Sequence, residues 1–515
     1  MLPPEFFEDD FHAIPDLLRL HAQMRPDHLA LIQDERRLTY AQFDAMADRV
    51  AAGLQRDGLK SGDVIAICAL TSIEYAVVFL GALRAGVAVS PLAPSSTPES
   101  LAGMVADCGA SLFFLDAGVA GEIHGVLGRI SARRVALDDS DAGQPFSAWL
   151  PGSGATPQPV ELDPDQPFNI IYSSGTTGAP KGIVQPHVMR WMHVRRGYYD
   201  DGAVTLISTP LYSNTTLVSF FPTIARGGTL VLMSKFDATK FLALAQKHHV
   251  THAMLVPVQY KRLMDHPDFD SFDLSSFRNK FCTSAPFKAE LKADILARWP
   301  GGLVEYYGMT EGGGTCMLEA HNFPDKLHTV GKPAEGHDIR LIGEDGRPVP
   351  QGEIGEVVGH SASIMKGYHN QPAKTADAEW RDESGKRFIR TGDVGRFDED
   401  GFLTLMDRKK DMIISGGFNI YPSDLEAVVS EHPDVAEVAV VGVPSDQWGE
   451  TPVGFVVLRP GAAPDAESLR LWANGRLGKT QRLADLRILE AIPRSHIGKV
   501  LKRELRDAYD GTAKT

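Results

Sequence analysis

The chain has 515 residues, 43% of them hydrophobic and 23% charged, which is an ordinary globular balance with enough apolar material for a large core. Its 52 basic and 66 acidic side chains leave a formal net charge of -14, which argues against a nucleic-acid partner, since such partners are held mainly by cationic contacts to phosphates. A nucleotide ligand remains compatible, because backbone N–H groups and a metal ion can hold its phosphates. The length suggests roughly three to four domain-sized units. The four cysteines (Cys68, Cys108, Cys282 and Cys316) are scattered, without metal-ligand spacing, so the expectation is a reduced, cytoplasmic protein without disulfides. The opening residues MLPPEFFEDDF do not read as a signal peptide. The most apolar stretch, Val64–Val89, is interrupted by Glu74 and Arg84 and reads as core strand and helix, so no integral membrane contact is expected.

The first clear element is an amphipathic helix over Leu38–Gly58. Phe43, Met46, Ala47, Val50, Ala51 and Leu54 recur at three- and four-residue spacing, Thr39 with Gln42 fits a capping box, and Gly58 can close the C-terminus. Short apolar runs follow at Val64–Ala69, Asn169–Tyr172, Val204–Ser208, Thr229–Met233, His252–Val256 and Lys280–Thr283, separated by helix-like stretches. Strands alternating with helices predict an α/β fold with mostly parallel sheets. Pro151–Pro167, rich in Pro and Gly, reads as a loop between subdomains. After about residue 335 the pattern turns to short strands, with a hairpin expected at Glu399-Asp400-Gly401. Beyond Lys410 a smaller α+β unit is expected, with a helix marked by Leu425, Val428 and Val429 and strands near Val435–Val443 and Val453–Leu458.

Five stretches carry chemistry. Tyr172-Ser173-Ser174-Gly175-Thr176-Thr177-Gly178-Ala179-Pro180-Lys181-Gly182 follows an expected strand. Small, glycine-rich and hydroxyl-bearing residues let amides and side-chain oxygens wrap a polyphosphate, and Lys181 adds positive charge. The GxxxxGK[ST] order of a P-loop is absent. A glycine-rich stretch alone reads as a surface loop; the hydroxyl run and the fixed lysine favour the phosphate reading. The others are Tyr306-Tyr307-Gly308-Met309-Thr310-Glu311, Arg390-Thr391-Gly392-Asp393 with Asp407-Arg408 downstream, Arg408-Lys409-Lys410-Asp411 leading to Ser415-Gly416-Gly417, and Pro493-Arg494-Ser495-His496-Ile497-Gly498-Lys499.

Together these stretches resemble the adenylate-forming superfamily of acyl-CoA synthetases, amino-acid adenylation domains and luciferases, in the expected order and over roughly Leu38 to Arg503. The look is that of aryl- and fatty-acid–CoA ligases. The resemblance implies a large N-terminal AMP-binding domain (1–409) of two layered α/β subdomains with a small β-barrel-like part, and a small mobile α+β lid domain (410–515). It implies an ATP-dependent acid–CoA ligase working through an acyl-adenylate, with ATP, Mg²⁺ and coenzyme A as ligands and a small carboxylic acid as substrate. The oligomeric expectation is a monomer or homodimer.

By that resemblance Ser173 to Gly178 and Lys181 hold phosphates, Thr310 contacts the α-phosphate and Glu311 holds Mg²⁺. A carboxylate beside a triphosphate needs such a bridging cation. Ser284, Ala285, Pro286, Tyr306, Tyr307, Gly308 and Met309 line the nucleotide. Asp393 takes the ribose hydroxyls, as acidic residues do in dinucleotide sites, and Arg408 contacts the same nucleotide, although a surface Asp–Arg pair competes as a reading of it. Lys499 is the adenylation lysine: a cation between carboxylate and phosphate offsets their repulsion in the transition state. Lys410 is the hinge, and Ser415, Gly416 and Gly417 border the thiol channel. The acyl pocket draws on Tyr212, Ser213, Asn214, Thr283, Ser284, Tyr307, Gly308 and Gly312, Gly313 and Gly314. Many relatives have a His after the aromatic residue, where this chain has Ser213. The glycine run leaves room for a ring, or meets a loop requirement. An aromatic or arylpropenoic acid is expected first, a medium-chain or alicyclic acid next. Rival readings are a fatty acyl-AMP ligase, an adenylation enzyme that loads a carrier protein, and a non-catalytic nucleotide sensor. A pocket Asp for an amino substrate is lacking, since Phe236-Asp237-Ala238-Thr239 is expected to start a helix.

Overall fold

The computed structural model describes residues 2–173, 181–408, 411–415, 418–445, 448–478, 481–494 and 500–509. The chain forms two compact units. The first comprises Met1–Leu327, Pro333–Asp338 and Gly359–Ile389; the second comprises His328–Lys332, Ile339–Val358 and Arg390–Thr515.

The first unit holds two largely parallel sheets. One runs in the order Cys316–Glu319, Gly302–Tyr307, Asn279–Cys282, His252–Leu255, Val204–Ile207, Thr229–Leu232, Leu29–Gln33 and Arg36–Thr39. Among these strands the Cys316–Glu319/Gly302–Tyr307 and Leu29–Gln33/Arg36–Thr39 pairs are antiparallel, and Lys332–Pro333 adds a short strand beside Cys316–Glu319. The other runs Gly367–Tyr368, Lys181–Pro186, Pro167–Ser173, Ala88–Pro91, Val64–Cys68, Leu112–Leu115, Arg133–Ala136 and Gln144–Pro145. It is parallel from Pro167–Ser173 onward and antiparallel at Lys181–Pro186 and Gly367–Tyr368. The expected strands therefore appear within a residue or two of their apolar runs.

Both sheets share one core. Helix Ile73–Arg84 is buried at every position but Glu74, and helix Asn214–Ala225 at all but Asn214 and Val218. Helices apolar all round belong inside a large core. Phe79 and Phe221 from these helices meet Phe168 of the second sheet, with the Phe221 centroid 5.2 Å from Phe79 and 4.9 Å from Phe168. Leu31 and Leu230 of the first sheet join the same cluster.

The amphipathic helix spans Tyr40–Arg56. Thr39 and Gln42 form the reciprocal capping box. At the other end Leu59 N–H donates to Leu54 O and Gly58 N–H to Gln55 O, with Gly58 at φ +89°, the Schellman ending that glycine permits. Asp237 caps helix Ala238–Lys247, so the Phe236–Thr239 stretch starts a helix as expected. No helix among the described residues is long and apolar enough to cross a membrane.

In the second unit, Asp393–Phe397 pairs antiparallel with Leu403–Arg408 around the expected Asp400-Gly401 turn. A separate sheet has the order Phe418–Ile420, Ile413–Ser415, Gly449–Leu458 and Val435–Ser445, with Asp485–Ile488 parallel to Gly449–Leu458. Helix Pro422–Ser430 packs Leu425 and Val429 into a core with Ile413, Val440 and Val456.

Candidate active site

Ligands of α/β sheets bind beyond the carboxyl ends of parallel strands. Three of the predicted segments emerge there from one sheet: Tyr212 to Asn214 follow Val204–Ile207, Thr283 to Pro286 follow Asn279–Cys282, and Gly308 to Glu311 follow Gly302–Tyr307. The predicted phosphate loop leaves the carboxyl end of Pro167–Ser173 in the other sheet. Its flanks, Ser173 and Lys181, are paired across a hairpin. Ser174, Gly175, Thr176, Thr177 and Gly178 lie outside the described residues, as do Lys410, Gly416, Gly417 and Lys499.

The two sheet ends meet through specific side chains. Gln185, on the strand that begins with Lys181, donates from Nε2 to Thr310 O at 2.6 Å. The Tyr368 hydroxyl donates to Glu311 Oε1 at 2.8 Å, and Lys181 Nζ lies 4.9 Å from the centroid of the Tyr368 ring. Burial and the neighbouring Glu311 carboxylate hold the Tyr368 phenol well above its usual pKa, so it stays a donor. Met365 N–H donates to Glu311 O at 2.8 Å. Lys181, Thr310 and Glu311 thus belong to one connected cluster in the first unit.

Ser284 has φ +83°, a left-handed conformation uncommon for a residue with a Cβ. Its hydroxyl shares a 2.6 Å hydrogen bond with that of Thr215. Such strain persists only where surroundings hold it, and it concentrates at ligand-binding positions. Asn214 opens the buried helix and its Oδ1 accepts from Gln185 Nε2 at 3.4 Å. Ser213 is the N-cap residue, without a side-chain capping bond. Burial pushes the Tyr212 phenol up to about 12, and the Ser95 hydroxyl partly opposes it.

Tyr306 stacks on Phe281 at 5.8 Å, with the Arg196 guanidinium 5.3 Å from its centroid. Met309 packs with Ile183, Met365 and Tyr368. Gly312 and Gly313 have φ +73° and +89°. A Cβ at Gly312 would lie 2.0 Å from Ser363 O, and one at Gly313 2.7 Å from Gly359 O. Close backbone approach therefore explains these two glycines on its own terms, without a wide pocket.

Within the second unit, Asp393 lies opposite Arg408 in the hairpin register. Thr391 Oγ1 donates to Val357 O at 2.9 Å and accepts from Asp393 N–H at 3.0 Å. Arg390 makes a two-pronged contact to Glu356 at 3.1 and 2.6 Å. Ser415 is buried at the end of its strand, paired with Gly449. The flanks of the Lys499 segment, Arg494 and Val500, form an antiparallel bridge.

The sequence reading missed Gln185 and Tyr368. The only trace of Gln185 was a polar residue in a strand of buried positions, and Tyr368 showed as no more than an aromatic after Gly367.

The flanks of the predicted phosphate loop, Ser173 and Lys181, are thus tied to the Thr310–Glu311 turn through Gln185 and Tyr368. Residues 18–369 match the family model for the AMP-binding enzyme and residues 424–499 that for its C-terminal domain. The chain belongs to this family and is an adenylate-forming ligase. It is 34% identical over 95% of its length, and 97% of the relative's, to a feruloyl-CoA synthase of Amycolatopsis. It is 31% identical to a fatty acid–[acyl-carrier-protein] ligase of Streptomyces coeruleorubidus, over 95% of each chain. Among solved structures it resembles ATP-bound MatB from Rhodopseudomonas palustris, with a TM-score of 0.86 and 28% identity over 98% of this chain and 100% of that one.

Proposed function

We propose that the chain is an ATP-dependent carboxylic acid–CoA ligase. The observation that carries this reading is the joining of Lys181, Tyr368 and Glu311 beside Thr310, at the mouth of the phosphate-loop hairpin. A carboxylate is a poor acyl donor, because its leaving group would be oxide. Attack of the acid on the α-phosphorus of ATP, with pyrophosphate leaving, makes an acyl-adenylate. A thiolate then attacks its carbonyl and AMP departs.

In this account Lys181 and the hydroxyl loop take the phosphates and Thr310 the α-phosphate. Asp393 and Arg408 take the ribose end, with Ser284 to Pro286 and Tyr306 to Met309 lining the nucleotide. Mg²⁺ prefers one or two carboxylates together with phosphate oxygens. Glu311 offers one carboxylate beside Thr310, and this donor set fits the ion, which would neutralise phosphate charge. Lys499 serves the first half-reaction by offsetting the repulsion between acid and phosphate. The thiol needs another approach, past Ser415 to Gly417, so the lid domain (410–515) turns about Lys410 between the half-reactions.

The acid is an aromatic or arylpropenoic one, with a medium-chain or alicyclic acid as the alternative. Support comes from the feruloyl-CoA synthase relative and from the aromatic faces of Tyr212 and Tyr307 at the predicted pocket. A second reading, transfer to a carrier-protein thiol, is favoured by the acyl-carrier-protein ligase relative. Pyrophosphate release measured over a panel of acids, with and without CoA, separates them. A CoA ligase consumes CoA and yields the acyl thioester. Steady pyrophosphate release that CoA neither accelerates nor enters contradicts the CoA reading, and ATP binding without any release contradicts the enzyme.

A further inference from the structure

Arg190, on helix His187–Arg195, is fully buried, yet among the described residues no carboxylate faces it. Its partners are two amides: Nε and Nη2 donate to Asn169 Oδ1 at 3.3 and 3.1 Å, and Nη2 also donates to Gln185 Oε1. Asn169 and Gln185 are themselves fully buried and sit opposite each other on the two strands that flank the phosphate loop. Asn169 Nδ2 donates to Gln185 Oε1 at 2.9 Å. A buried charge without a counter-ion is costly, so this cluster needs a reason to be there.

The geometry gives one. An amide can turn by half a rotation and exchange its oxygen for its nitrogen. Two donors converging on Gln185 Oε1 forbid that exchange and leave Nε2 facing outward. It then donates to Thr310 O at 2.6 Å and reaches Asn214 Oδ1 at 3.4 Å. One side chain thereby joins the phosphate-loop hairpin, the Thr310–Glu311 turn and the start of the helix at the predicted acyl pocket.

We infer that Gln185 is a positioning residue for the adenylation step, aimed at the Thr310 carbonyl by Arg190 and Asn169. The inference rests on the functional reading above, in which Thr310 and Glu311 meet the phosphates. Neither Gln185 nor Arg190 touches substrate. Both act by fixing the turn that does.

Gln185→Glu tests this. A carboxylate keeps an oxygen for Arg190 and nearly the same shape, but presents Thr310 O with an acceptor where a donor was. Acid-dependent pyrophosphate release is expected to slow by roughly 10- to 100-fold, the scale of a small misplacement in an active site. The KM for the acid and the thermal midpoint should stay close to those of the unaltered chain. Arg190→Lys keeps a cation that cannot span both amides, and is expected to slow turnover less than Gln185→Glu does. In Gln185→Met, adding Arg190→Met should bring no further loss of turnover, because Arg190 works through Gln185.

A folded Gln185→Glu with turnover within twofold of the unaltered chain overturns the inference, as does a loss that merely follows a fallen thermal midpoint. If the unaltered chain releases no pyrophosphate with any acid, the functional reading fails instead. ATP affinity then becomes the readout, and an affinity that Gln185→Glu leaves unchanged overturns the positioning role.

Discussion

The Tyr368 hydroxyl donates to Glu311 Oε1 at 2.8 Å, which ties the carboxylate of one predicted motif to a residue outside all of them. A hydrogen bond to a charged group contributes about 1.5 kcal/mol or more. Tyr368→Phe removes that bond while keeping a ring for Lys181 to lie over. The half-saturating Mg²⁺ concentration for pyrophosphate release should rise roughly tenfold, the equivalent of about 1.4 kcal/mol. A magnesium titration of the variant checks this, and an unchanged midpoint would separate Tyr368 from the metal-holding role proposed for Glu311.

Ser284 holds a left-handed backbone at φ +83° and a 2.6 Å bond to Thr215. Ser284→Ala loses the bond and keeps the strain, so it should be less stable than the parent by about 1 kcal/mol. Ser284→Gly loses the bond but also relieves strain of about 1 kcal/mol or more, so it should be the more stable of the two variants. Urea unfolding of both gives the order, and the reverse order would remove strain from the account of this position.

Gly312 and Gly308 offer a contrast in tolerance. A Cβ at Gly312 would overlap Ser363 O at 2.0 Å, whereas at Gly308 it would meet Gly314 O and Thr315 Oγ1 at 3.4 Å, ordinary contact. Gly312→Ala should cost more than about 3 kcal/mol, in the range reserved for overpacking and backbone strain, and Gly308→Ala about 1 kcal/mol or less. Thermal unfolding of the two proteins decides between these outcomes without reference to activity.

Burial holds His187 and His252 at a pKa of about 4, below the usual 6.5. Between those values the unfolded chain carries protons that the folded chain refuses. The stability that these two histidines contribute is therefore complete above about pH 6.5 and is lost as the pH drops toward 4. Each histidine should account for about one proton taken up on unfolding near pH 5. His252→Gln should remove one such proton from the slope of unfolding free energy against pH, and a slope identical to the parent's would show His252 to be charged in the folded protein.

Much of this was legible in the residues. Short continuous apolar runs placed the strands, which are buried on both faces, a period-3.6 pattern placed the Tyr40–Arg56 helix, and Thr39 with Gln42 marked the cap outright. The Tyr172–Ser173 and Tyr306–Glu311 stretches, with Thr283 and Tyr212, fell at or beyond the carboxyl ends of strands because short apolar runs end where the sheet ends. The contacts between segments were not legible. Nothing local to Tyr368 points to Glu311, 57 positions away, or ties Gln185 to Thr310, 125 positions away. Ser284 carries no glycine to announce its positive φ, and the sequence did not decide between room for a ring and a loop requirement at Gly312-Gly313, which closely approach the backbone of Ser363 and Gly359.

The central claim is that this chain joins a carboxylic acid to AMP at a site assembled from separated loops. Exchange of labelled pyrophosphate into ATP tests it most directly, since the exchange requires a reversible adenylate and no thiol. The account predicts exchange that depends on both an acid and Mg²⁺, proceeds without CoA, and disappears in Lys499→Ala, while that variant still converts supplied acyl-adenylate and CoA to thioester. Exchange that ignores the acid, or cleavage of ATP to ADP and phosphate, would contradict it.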